Sequence, residues 1–102
     1  MRPPHPESLV LEFEGEIWFW RGPAPFFFVT VSEEARQEIK IIANRVTYGW
    51  GMIPVKVTIG RTRYATSLWP KDGSYIVPIK ANVRKAEAIN EGDVVHIELE
   101  VG

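Results

Sequence analysis

The side chains able to do chemistry are few and scattered. His96 is the only histidine besides His5, and it lies in an alternating run with Glu98 and Glu100 opposite Val95 and Ile97. That period of two is a half-buried strand, which sets His96 among carboxylates on a solvated face. A metal site needs several ligands converging at short range, and the chain has no cysteine to supply one. Neither a metal nor a cofactor is therefore expected. Glu12, Glu14 and Glu16 also share one strand face. Acid–base work by paired carboxylates needs unequal environments that separate their pKa values, and three equivalent exposed glutamates offer none. Ser67 stands between Thr66 and the bulky Leu68-Trp69, without a Gly-x-Ser-x-Gly elbow and without a convincing histidine base. Gly49-Trp50-Gly51 lacks the third glycine and following helix of a dinucleotide fingerprint.

Two constellations survive. Lys80 and Arg84 are four residues apart where a strand runs into a helical turn, with the hydroxyls of Thr66 and Ser67 on the preceding strand and Trp50 and Trp69 as further candidate binding residues. Together they can hold an anion. The competing reading pairs Arg84 with Asp93 or Glu91, pinning a turn to the body of the fold. The second constellation is aromatic. If the loop Arg21 to Pro25 closes a symmetric hairpin, Trp20 faces Phe26 and Trp18 faces Phe28 on one side, while Phe19 meets Phe27 and Ile17 meets Val29 on the other. One face fills the core, so Trp18, Trp20, Phe26 and Phe28 need a cover from the helix or a loop, from a second protomer, or from a ligand.

The elements that must position these residues follow from periodicity. Leu9 to Trp20 alternates as one long strand, and Phe26 to Val31 is its hairpin partner. Ser32 is an N-cap for a helix over Glu33 to Asn44, with Ala35, Ile39, Ile42 and Val46 on one face and two glutamates at its positive end. Ile53 to Ile59, Arg63 to Trp69 and Tyr75 to Lys80 follow as a meander, turning at Gly60 and at Pro70-Lys71-Asp72-Gly73. Ala81 to Ala88 fits one or two helical turns, and Val94 to Val101 is a last strand with Val95, Ile97, Leu99 and Val101 inward. Pro54 and Pro78 within strands require edges, strand ends or bulges, so the sheet is expected to curl without closing perfectly. These features describe a mainly β domain over 9–102, a small six-stranded barrel or pseudobarrel with one capping helix, after a proline-rich tail over 1–8.

Several ordered elements resemble a bacterial family of domains of unknown function, DUF1905. They are Phe13 and Trp18; Phe28-Val29-Thr30-Val31; Gly49-Trp50-Gly51 with Pro54-Val55; Thr66-Ser67-Leu68-Trp69-Pro70; Pro78-Ile79-Lys80; Val83-Arg84-Lys85-Ala86; and Glu91-Gly92-Asp93. The chain departs from the family pattern at Ser32, where proline is usual, and at Val77, where leucine is common. The resemblance implies a double-split β-barrel, an architecture also used by swapped-hairpin antitoxins and related transcription regulators. For activity it implies almost nothing.

A net charge of −1 and a pI near 6.1 give no global attraction for polyanions, which argues against nucleic acid as the partner. Seven basic residues from Lys56 to Lys85 do face Asp72 alone, and pairing with acidic neighbouring strands accounts for them best. No apolar stretch is long enough to cross a bilayer, and the absence of cysteine suits a cytoplasmic setting. The reading is a non-enzymatic module that binds a small molecule, an anion or a protein, with homodimerisation open. The alternatives are a nucleic-acid-binding barrel of the antitoxin or regulator kind, and an enzyme using Ser67 or an acid pair.

Overall fold

A computed structural model describes residues 9–23, 26–46 and 51–101. Six antiparallel strands and two helices follow one another as β1 (Leu9–Trp20), β2 (Phe26–Thr30), α1 (Glu33–Val46), β3 (Ile53–Ile59), β4 (Thr62–Lys71), β5 (Ser74–Ile79), α2 (Ala81–Glu87) and β6 (Val94–Val101). The strands close into a barrel in the order β1-β2-β5-β4-β3-β6. The order thus closes, where the prolines alone predict a sheet that stops short of closure.

Two long strands make this possible by changing partners midway. β1 pairs with β6 from Leu9 to Glu16 and with β2 from Ile17 to Trp20. β4 pairs with β3 from Thr62 to Leu68 and with β5 from Trp69 to Lys71. Each changeover opens a split in the barrel wall, and there proline costs no ladder bond. Pro54 precedes the β3–β6 ladder, which begins at Val55; Pro70 follows the end of the β3–β4 ladder; Pro78 follows the end of the β4–β5 ladder.

The core is the inward parity of the strands. Phe13, Ile17, Val29, Val57, Leu68, Val77, Ile97 and Leu99 are buried there, and α1 adds Ala35, Ile39 and Ile42. The helix packs against β1, β3 and β5. Its start is fixed as Ser32 requires, with the Ala35 N–H donating to Ser32 Oγ at 3.2 Å. The Glu33 carboxylate binds Arg36 within the first turn, which lowers its pKa.

One turn detail differs from the sequence reading. Strand β4 continues through Pro70 and Lys71, and the turn is Asp72 and Gly73 alone, both at positive φ, as a two-residue I′ hairpin demands. The second helix is a real element of seven residues, ended by Ala88 in the left-handed region at φ 53°. Its Glu87 reaches back to the β3–β4 turn, where Oε2 accepts from Thr62 Oγ1 at 2.6 Å and from the Arg61 N–H at 3.3 Å.

Candidate functional site

The aromatic hairpin pairs as its symmetric loop requires: Trp18 opposite Phe28, Trp20 opposite Phe26, Phe19 opposite Phe27 and Ile17 opposite Val29. On the outer face Phe28 is fully buried although no helix lies over it, because α1 packs elsewhere. Its cover is other rings. Trp18, Phe26 and Trp20 surround it at centroid distances of 5.3, 5.7 and 6.4 Å, and Trp69 closes the far side at 5.4 Å. The helix as cover is therefore corrected: Ala35, Ile39 and Ile42 of its apolar stripe are spent on the core.

Trp69 is a second correction, since it belongs to this cluster and not to the Lys80/Arg84 corner. In β4 the side chains alternate, so Leu68 enters the core and Trp69 faces outward, beside Ile76 of β5. The covering rings are themselves only partly covered, with Trp20, Phe26 and Trp69 exposed by 37, 37 and 38 %. Between them lies a groove of about 220 Å³, lined by Trp18, Trp20, Trp69, Pro70, Lys71 and Ile76. Trp18 Nε1 donates to Thr30 Oγ1 at 3.0 Å, which fixes its ring. The indole N–H groups of Trp20 and Trp69 have no hydrogen-bond partner among the described residues. Lys71 stands at the rim, its ammonium 3.4 Å from Asp72 in an exposed pair of neighbours. The lining residues are thus mostly apolar, the polar side-chain atoms they carry are indole N–H groups and the Lys71 ammonium, all donors, and the nitrogen edge of the Trp20 ring lies against Gly22.

The proposed anion corner is arranged differently. Lys80 Nζ donates to the Ala65 carbonyl oxygen at 3.0 Å, spanning the split between β4 and β5. Tyr64 spans it too, its hydroxyl donating to the Pro78 carbonyl at 2.8 Å, and burial pushes its pKa well above the ordinary 10.0. The Arg84 guanidinium lies 3.8 Å from the centroid of the Phe27 ring. It does not pair with Asp93 or Glu91; Asp93 instead accepts from the Asn90 N–H at 2.8 Å. Arg84 Nε is buried without a hydrogen-bond partner among the described residues. Thr66 and Ser67 are adjacent in one strand and point to opposite faces, so both hydroxyls cannot join the two cations on one side. Thr66 lines a separate hollow with Lys56 and Glu100, and Ser67 lies opposite Pro54. Trp50 lies outside the described residues.

The remaining polar groups meet across strands. His96 Nε2 lies 2.9 Å from Glu12 Oε1 on the β1–β6 face, and Arg63 pairs with Glu100 at 3.1 Å. Among the described residues no three His, Cys, Asp or Glu side chains gather as a metal site, and no helix is long and apolar enough to cross a membrane.

Pro70, Lys71 and Ile76 are groove residues that sequence reasoning missed. Parity within β4 carries a signal for Trp69, but nothing local says that β4 and β5 lie beside the first hairpin. Comparison with known proteins adds the family and no activity. No curated protein matches the chain. The family described as a domain of unknown function, DUF1905, matches residues 13–99, most of the chain. This chain belongs to the DUF1905 family.

Proposed function

We propose that this chain is a binding module and not an enzyme, and that its aromatic groove takes an extended, proline-bearing segment of a protein partner. The observation that carries this reading is the make-up of the groove: apolar walls from the rings of Trp18, Trp20 and Trp69, the Lys71 ammonium at the rim, and indole N–H groups on Trp20 and Trp69 that have no hydrogen-bond partner among the described residues. A polyproline II segment is the complement of such a surface. It makes no internal hydrogen bonds, its carbonyls project outward as acceptors, and its prolines have no N–H that would need an acceptor. Its rings pack flat on indoles, and its fixed φ lowers the entropy lost on docking. A quaternary ammonium also favours aromatic walls, but Lys71 repels it.

The catalytic alternative has little support. Ser67 lies opposite Pro54 on β3, whereas His96 lies two residues from Glu98, which faces Thr58. The register separates them by roughly 20 Å at about 3.3 Å per residue.

Tryptophan fluorescence titrated with a polyproline peptide tests the proposal. The expected result is a saturable change in the wild type and a loss of affinity on the order of tenfold in Trp20→Ala and in Trp69→Ala, each checked for an intact thermal transition. No saturable change up to about 1 mM peptide overturns it.

A further inference from the structure

Residues 1–8 read Met-Arg-Pro-Pro-His-Pro-Glu-Ser, with three prolines in four positions between Pro3 and Pro6. Such spacing favours the polyproline II conformation that the groove complements. The same chain therefore carries both halves of the interaction.

Distance decides whether they meet within one molecule. Leu9 and Trp18 lie nine residues apart along β1, about 30 Å at 3.3 Å per residue. Pro6 is three residues before Leu9 and Pro3 is six, so fully extended chain carries them at most about 11 and 22 Å from it. The chain would also have to double back at Leu9 to run toward its own groove. The segment is too short for that.

We infer that the Pro3–Pro6 segment of one copy docks in the Trp18/Trp20/Trp69 groove of a second copy, so that the chain associates head to tail. This rests on the reading of the groove as a polyproline site. Charge agrees with it. Glu7 follows the last proline and matches Lys71 at the groove rim. Because the tail and the groove are different surfaces, the contact is heterologous, and each added copy leaves one tail and one groove open. Association then grows with concentration toward short open chains or a ring. A second consequence is competition: an outside partner with a proline segment displaces the tail and disassembles the chains.

Sedimentation of the full chain, compared with a variant carrying Pro3→Ala, Pro4→Ala and Pro6→Ala, tests the inference. A thermal transition equal to that of the wild type checks that the fold is left intact in the variant. The weight-average mass of the wild type should rise with concentration, and that of the triple variant should stay at one chain. In parallel, a synthetic peptide of residues 1–8 and an unrelated polyproline peptide are titrated onto the triple variant. Both should shift the Trp20 and Trp69 indole signals. Equal masses for wild type and triple variant overturn the inference. If the unrelated peptide binds and the tail peptide does not, self-association alone is lost and the groove reading stands. If neither binds, both are lost.

Discussion

The Tyr64 hydroxyl donates to the Pro78 carbonyl oxygen at 2.8 Å, across a split where β4 and β5 have ceased to pair. A side chain there replaces a missing rung of backbone. Tyr64→Phe should cost about 1 kcal/mol near neutral pH, the usual net worth of such a bond. It should also change the alkaline limb. Burial raises the pKa of Tyr64 well above 10.0, so between pH 10 and its folded value the unfolded chain loses this proton while the folded chain keeps it. That contribution is fully present below pH 10 and is lost as pH rises, by at most about 1.4 kcal/mol per pH unit. Denaturant unfolding from pH 8 to 11 should therefore fall more steeply in the wild type than in Tyr64→Phe.

The turn between β3 and β4 makes a second prediction. Gly60 has φ +58°, and a Cβ placed there would lie 2.0 Å from Glu87 Oε1. Both the backbone region and the room call for glycine. Gly60→Ala should destabilise the fold by roughly 1–3 kcal/mol and release Glu87 from Thr62 and Arg61. Amide exchange should then quicken in α2. Unchanged exchange there would separate the helix from the turn.

Arg84 offers a third. Its guanidinium stacks on Phe27 while its Nε lacks a partner among the described residues, so a gain of about 1–2 kcal/mol is set against a desolvation cost of about 1–3 kcal/mol. The two nearly cancel. Arg84→Met fills similar space, keeps a favourable contact to the ring and removes the buried donor. Its stability should lie within about 1 kcal/mol of wild type, whereas Arg84→Ala leaves a void against Phe27 and should cost more. Urea unfolding of both variants checks the order.

Legibility in the sequence stops where information ceases to be local. Val95, Ile97, Leu99 and Val101 are buried as their alternation requires, and the four cross-strand pairs of the first hairpin follow from one loop length. Nothing in the sequence places Trp69 beside Trp18, because strand order is set by ladders between residues far apart in the chain. The spacing of Lys80 and Arg84 points to a shared face that the structure does not have, for a different reason. Lys80 is the N-cap of α2, with extended backbone at ψ 151°, so the rule that residues four apart share a helix face does not reach it. Its ammonium instead follows β5 outward and bridges to Ala65.

The central claim is that Trp20 and Trp69, whose indole donors have no partner among the described residues, offer them to an acceptor-rich segment, while the donor of Trp18 is already taken by Thr30. The most direct measurement is the set of indole N–H resonances in a two-dimensional nitrogen–proton NMR spectrum, assigned by single tryptophan substitutions and followed through a titration with polyproline peptide. The account predicts saturable shifts of the Trp20 and Trp69 signals along one binding curve, with the Trp18 signal moving least. Trp20 and Trp69 signals that stay fixed while the peptide reaches about 1 mM would contradict it.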